Sequence, residues 1–312
     1  MRAVTLSSVP GTPAVTEVDA PRPDDGELLV KVAASSVNGF DASTAAGYLQ
    51  GMMEHRYPLV LGKDFAGTVE AVGEGVDGFA VGDAVFGVVM KPFLGTGSLA
   101  QYVTVSAAIG VAPIPAGLKA EDAGALGLAG TAALDSLNAL SPAEGETVLI
   151  SGATGGVGAL AVQMAAARGA KVIATARPGQ ETDFVTGLTS EQIHVVDFTG
   201  DLEVHVRAIA PDGVDAVLHL AGDGAQLAGL LRLGGEIAST VGLTQDGVKG
   251  QEVTVHTVWA DPNAQTLTTL AEQAASGALR VPVTASYPLE QAPQAFAAFG
   301  AGALGKLVIT CA

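Results

Sequence analysis

The chain has 312 residues, about two domains' worth at roughly 150 residues per domain. Hydrophobic residues make up 48% and charged ones 15%, which excludes a highly charged disordered solvator. Acidic residues outnumber basic ones 32 to 15, for a net charge of −17, so nucleic acid and anionic membrane surfaces are excluded as partners. The single cysteine, Cys311, excludes an intrachain disulfide and a multi-cysteine zinc site. The first residues carry no apolar secretory core. The uncharged stretches 94–118 and 147–167 are broken by glycines, and the first also by prolines. They read as strands and loops rather than membrane spans, and a soluble, cytoplasmic protein is expected.

Residues 1–118 read as short β-rich runs, at 27–34, 64–72, 83–89 and 99–105, separated by glycine turns such as Gly73-Glu74-Gly75. A short helix is expected over 41–46. This spacing predicts an antiparallel barrel or sandwich. The character changes after Ala112-Pro113-Ile114-Pro115, with an alanine- and leucine-rich helix over 121–140. Strand-like runs at 147–151, 171–175, 193–198, 216–221, 235–241 and 253–258 then alternate with helical runs at 156–168, 202–210 and 264–275. Such alternation predicts a doubly wound α/β domain with a parallel sheet. Short strands return at 281–285 and 306–311. The expected division is therefore 1–120 with 280–312 as a β domain, and 121–279 as an α/β domain.

The strongest chemical signal is TVLISGATGGVG at 147–158, an apolar strand, a glycine-rich turn and an alanine-rich helix. Ala153-Thr154-Gly155-Gly156-Val157-Gly158 fits G-x-G-x-x-G with alanine in the first place. The glycines admit a pyrophosphate to the backbone, and the helix start supplies N–H donors. Binders of NAD place an acid about 20 residues further on, to hold the ribose 2′-hydroxyl. Here the second strand ends Ala174-Thr175-Ala176-Arg177. Without an acid, and with a guanidinium suited to a 2′-phosphate, NADP(H) is expected. The plainer alternative makes Arg177 a solvated loop cation.

Three segments together resemble the zinc-independent, quinone oxidoreductase-like branch of the medium-chain dehydrogenase/reductase superfamily. They are PLVLGKDFAGTVEAVGEGVDGFAVGDAVFG at 58–87, Gly145-Glu146 through Gly155-Gly156-Val157-Gly158 to Gln163, and Gly305-Lys306-Leu307-Val308-Ile309. The resemblance implies an α/β protein with a GroES-like β-barrel catalytic domain and a Rossmann dinucleotide-binding domain. Zinc members carry a cysteine ligand after the first long strand and a histidine in a G-H-E motif. Here those places read Ser36-Val37-Asn38-Gly39-Phe40-Asp41 and Gly62-Lys63-Asp64, so both ligands are missing. The five histidines are scattered and rebuild no metal site.

Hydride transfer leaves negative charge on the acceptor. A simple ketone needs a Lewis acid or a strong proton donor to meet that charge, whereas a quinone or an enone spreads it over its own conjugated system. The missing ligands therefore point to conjugated carbonyls or quinones as substrates, in agreement with the resemblance. The same resemblance places Asn38 near the nicotinamide ribose and substrate, with Gly39 where a proline is usual. It matches Tyr48 to a proton-donating tyrosine of related enoyl thioester reductases, simple aromatic lining being the alternative. Asp41 matches the motif's acid, or is a helix anchor. Thr131 matches the start of a helix near the nicotinamide. Ala221, Thr240 and Val241 stand at the ends of the fourth and fifth parallel strands, where a dinucleotide lies. Trp259 and Phe93 either line the substrate side or belong to the core. The family also implies a homodimer, formed through the 253–259 edge strand. The expected activity is NADPH-dependent reduction of a quinone or activated alkene. The alternatives are a biosynthetic enoyl reductase or reductive cyclase acting on one intermediate, and a non-catalytic nucleotide-binding protein.

Overall fold

In the N-terminal third, burial alternates most clearly along 27–32, where every second residue is buried. A computed structural model describes residues 1–311. Along the chain come β1 (Arg2–Leu6), β2 (Ala14–Glu17), β3 (Glu27–Ser36), α1 (Gly39–Ala46), β4 (Glu54–Val60), β5 (Asp64–Val72), β6 (Ala84–Val88), β7 (Phe93–Thr96), β8 (Tyr102–Ser106) and β9 (Val111–Pro113). A long helix, α2 (Ala120–Leu140), follows.

Next come β10 (Thr147–Ser151), α3 (Gly156–Ala167), β11 (Lys171–Thr175), α4 (Gln180–Thr186), β12 (His194–Val196), α5 (Leu202–Ile209), β13 (Val214–His219), α6 (Gly224–Ala228), β14 (Leu231–Ser239) and β15 (Thr254–Thr257). The chain closes with α7 (Ala264–Ala275), β16 (Val283–Pro288), α8 (Ala292–Gly300) and β17 (Lys306–Thr310).

The chain forms two compact units. The first is Met1–Thr131 together with the chain from Pro262 onward, and the second is Ala132–Asp261. In the first, one sheet runs β2-β1-β4-β7 and another runs β16-β17-β3-β5-β6-β9, with β8 also paired to β3. Leu28, Val30, Val32, Phe65, Val69, Val85 and Val103 pack with Leu307 and Ile309 in its core. Strand β17 pairs antiparallel with β3, so the two ends of the chain share one sheet. Most pairings are antiparallel as expected, but β16 with β17 and β4 with β7 run parallel. Several elements went unpredicted because they lack the apolar period: β2 is almost wholly exposed, β9 has three residues and α6 five.

The second unit is a parallel sheet in the order β12-β11-β10-β13-β14-β15. Counted from β10, this is the 3-2-1-4-5-6 order of a Rossmann domain, with its switch point between β10 and β13. Val148, Leu149, Ile150, Val172, Ile173, Val217 and Leu218 are fully buried, as strands covered on both faces require. Strands β13 and β14 end at His219 and Ser239, so Ala221, Thr240 and Val241 lie in the turns just beyond them.

Candidate active site

The fingerprint turn is shaped by two glycines with different duties. Gly158 lies inside α3, and a Cβ there would stand 2.2 Å from the Gly152 carbonyl oxygen and 2.7 Å from the Ala153 Cα. Glycine at 158 is therefore what lets helix and turn pack together. Gly155, the N-cap of α3, has φ −78° and ψ 172°, a conformation open to any residue. A Cβ at 155 would meet nothing closer than Gly152 O at 3.6 Å. The fold itself leaves room for a side chain at this N-cap. With glycine as the N-cap, no capping side chain is available to the first N–H groups of α3. Thr154, Gly155, Gly156 and Val157 are all partly exposed. These features fit the pyrophosphate of a dinucleotide.

Polar residues end the surrounding strands and tie down the turns that follow. Ser151 Oγ donates to the Ala221 carbonyl at 2.7 Å, and the Gly152 N–H donates to Thr175 Oγ1 at 3.0 Å. Ser239 Oγ accepts from the Val241 and Leu243 N–H groups, each at 3.2 Å. His219 Nε2 lies 3.1 Å from the Gly222 carbonyl oxygen. Ser151, His219 and Ser239 stand side by side in register. The sequence reading named the turns but not these anchors, whose signal is a polar residue closing an apolar strand.

Arg177 is exposed just past β11, as expected, but it has company. Its guanidinium lies 3.6 Å from the Glu181 carboxylate and 5.6 Å from the centroid of the Phe198 ring. The Glu181 carboxylate also accepts the Arg177 N–H at 2.8 Å. The strand end that carries no acid in sequence thus receives one from the first turn of α4.

In the first unit a buried polar network joins four segments. The Asp64 carboxylate accepts from Ser36 Oγ at 2.6 Å, Asn38 Nδ2 at 2.9 Å, Lys306 Nζ at 3.3 Å and the Leu128 N–H at 2.7 Å. Lys306 Nζ also donates to Asn38 Oδ1 at 2.6 Å. Both ends of the Asn38 amide are therefore held inside the protein. Asp41 accepts from the Asn38 N–H at 2.9 Å and the Gly62 N–H at 3.1 Å, which makes it the anchor of α1. Burial, aided by the nearby Asp64 carboxylate, pushes its pKa up to about 7 against the Asn38 N–H and the lysines 306 and 63. Asp64 and Lys306 were quoted in the sequence only as parts of motifs, and nothing local marks them as partners.

Tyr48 follows α1 with its side chain 76% exposed, and no hydrogen bond engages its hydroxyl among the described residues. Thr131 is fully buried, its hydroxyl donating to the Gly127 carbonyl at 2.7 Å within α2. Trp259 is exposed rather than part of the core, while Phe93 is partly buried with Arg56 stacked 3.5 Å from its centroid. Among the described residues no group of three or more His, Cys, Asp or Glu is placed to hold a metal ion. No helix of the described chain is long and apolar enough to cross a membrane.

With both halves described, comparison with known proteins places the chain. The alcohol dehydrogenase GroES-like domain model matches residues 24–116, and the zinc-binding dehydrogenase model matches 190–309. A putative quinone oxidoreductase of Bacillus subtilis is 38% identical over 238 residues, covering 72% of this chain and 68% of that one. The chain belongs to the quinone oxidoreductase-like branch of the medium-chain dehydrogenase/reductase superfamily.

The chain is also 35% identical over 310 residues to a mycocerosic acid synthase-like polyketide synthase of Mycobacterium tuberculosis. That match covers 92% of this chain but 14% of the synthase, and matches to phthioceranic/hydroxyphthioceranic acid synthases cover 10% of theirs. Among solved structures, the quinone oxidoreductase from Coxiella burnetii superposes with a TM-score of 0.89 at 26% identity, over 100% of this chain and 99% of its own. A mycobacterial protein solved in complex with NADPH superposes with a TM-score of 0.87 at 25% identity, over 99% of this chain and 100% of its own.

Proposed function

We propose that the protein is an NADPH-dependent oxidoreductase that reduces a quinone or an α,β-unsaturated carbonyl compound without a catalytic metal. The observation that carries this reading is the N-cap of α3 at Gly155, where the fold has room for a capping side chain and the sequence supplies none. A bound reduced nicotinamide supplies the hydride. Thr154, Gly155, Gly156 and Val157 hold the pyrophosphate through backbone N–H groups, and Ser151, Thr175 and Ser239 keep the neighbouring turns in shape. Ala221, Thr240 and Val241 line the dinucleotide's path along the strand ends. Arg177 favours the 2′-phosphate over a bare ribose. The mycobacterial neighbour bound to NADPH supports this choice of cofactor.

In the first unit, Asn38 and Thr131 act by position. Asn38 fixes the loop before α1 through its bonds to Asp64 and Lys306. Tyr48 is the proposed proton donor, since a solvent-facing phenol can pass a proton to the reduced acceptor and regain one from water. Neither of the two zinc-ligand positions of the superfamily is occupied by cysteine or histidine, which favours acceptors that delocalise charge themselves. The polyketide synthase relative supports a second reading, reduction of one enoyl intermediate in a biosynthetic sequence.

The test is loss of NADPH absorbance with a panel of quinones and enones, in protein assayed for zinc and treated with chelator. Turnover that survives chelation supports the reading. Turnover confined to enoyl thioesters selects the biosynthetic one, and activity that follows bound zinc overturns the metal-free mechanism.

A further inference from the structure

Lys63 stands in the middle of Gly62-Lys63-Asp64, where zinc members of the superfamily place a metal-binding histidine. Among the basic residues near it, Lys91 is paired with Glu27 and Arg56 with Glu54. Lys63 makes no such ion pair among the described residues. It donates to the Val89 carbonyl and lies 5.1 Å from the centroid of the Phe40 ring. An ammonium has three donors, so this carbonyl leaves two uncommitted. Burial draws the pKa of Lys63 below the ordinary lysine range, while Asp41 and Asp64 hold it up.

Lys63 lines a small cavity of about 20 Å³, together with Phe40, Asp41, Lys91 and Thr96. The volume is about what one water-sized oxygen group needs. Thr96 Oγ1 is buried and has no hydrogen-bond partner among the described residues. A buried hydroxyl without a partner costs stability, so its presence on this wall asks for an acceptor. One oxygen-sized cavity is thus lined by a lysine outside any ion pair among the described residues and by a threonine whose hydroxyl has no partner among them, in a protein whose net charge is −17.

We propose that Lys63 and Thr96 form the subsite for the acceptor's carbonyl oxygen and hold the negative charge that gathers there during reduction. The inference rests on the reductase reading and adds to it a specific pair of donors. A fixed ammonium in a partly desolvated wall stabilises an oxyanion far better than water does, because it need not reorganise as the charge appears. The arrangement puts a cation of the chain itself at the place where zinc relatives put a metal ligand. It suits acceptors with an exposed carbonyl oxygen that becomes an enolate or quinolate.

The probe is 4-nitrophenol, whose coloured phenolate mimics the reduced acceptor's oxygen anion. The wild-type protein is expected to bind the phenolate form and lower the apparent pKa of the bound phenol. Lys63→Met should weaken phenolate binding at least tenfold, and Thr96→Val several-fold. Lys63→Arg, which keeps the charge, should retain most of it and covers the case in which Lys63→Met fails to fold. NADPH affinity should be unchanged in all three, and kcat/KM for enones should fall roughly 10²-fold in Lys63→Met.

Wild type and variants that bind the phenolate equally, or a wild type that binds none, overturn the proposal. Protein that reduces enones with Lys63→Met and Thr96→Val fully active also overturns it, while leaving the reductase reading intact. Phenolate bound through Lys63 with no turnover of any quinone or enone keeps the oxygen subsite and overturns the reductase reading.

Discussion

Asp41 has two backbone donors and almost no water, and those two facts pull its proton in opposite directions. Burial wins, and its pKa rises from 3.8 to about 7. A carboxyl whose folded pKa is raised stabilises the fold fully below its unfolded pKa and loses that contribution as pH climbs through the folded value. Denaturation midpoints should therefore show a term that declines between about pH 4 and pH 7, visible as the difference between wild type and Asp41→Asn across that range. A difference that stays flat with pH would mean that Asp41 ionises normally. Arg177 gives the second residue-scale prediction. Arg177→Ala should weaken NADPH binding about tenfold, the lower end for a charge-assisted contact, because Glu181 already shares the guanidinium. NADH affinity, read by the same fluorescence titration, should hardly move. Arg177 was legible because it follows an apolar strand at the expected distance from the fingerprint. Glu181 was not, since only the path of the chain into α4 brings its carboxylate back. Lys306 is the extreme case, with its partner Asp64 lying 242 residues earlier in the chain.

The strand–turn–helix at 147–167 is the part of the site that the sequence displays most openly. Its message is backbone chemistry, and glycine is a residue whose identity reports the backbone directly. The structure separates two meanings that the motif runs together. Gly158→Ala forces a Cβ against Gly152 O and Ala153 Cα, so it should destabilise the protein by about 1–3 kcal/mol, measured by urea denaturation. Gly155→Ala meets no such obstacle and should leave the midpoint nearly unchanged while reducing NADPH affinity. The reverse pattern would place the ligand elsewhere. The strand-closing residues Ser151 and Ser239, and the anchoring role of Thr175, were not legible for an opposite reason. A serine or threonine at the end of an apolar run is common in any strand, and only the hydrogen bonds to the following turns give it a task.

At the scale of the molecule, the parallel sheet ends in two edge strands, β12 and β15, and the first unit buries a polar seam. Strand β15 has its Val255 N–H bonded to Gln245 Oε1 at 3.0 Å, and the adjacent Val253 carbonyl accepts from Gln245 Nε2 at 2.9 Å, so a second copy pairing along this edge would displace the Gln245 amide. Sedimentation should find a dimer, and Gln245→Ala, which frees the Val255 N–H for a second copy, should tighten it; a monomer in both cases would put β15 outside the subunit contact. The seam is where Lys306 on β17 meets Asp64 and Asn38. Lys306→Met leaves a fully buried carboxylate without its cation and should cost about 3–5 kcal/mol in denaturant unfolding.

That seam also orders events during synthesis. Residues 132–261 are contiguous, so their sheet has all its strands before the ribosome reaches α7. The first unit began earlier but waits for β17, and until then the edge of β3 that pairs with it stands open. Cys311 lies directly after β17, buried, with its thiol pushed up to about 12 and its N–H bonded to Ala33 O. The single thiol is thus a clock on closure, reactive toward alkylating reagents in the unfolded chain and silent once β17 has docked.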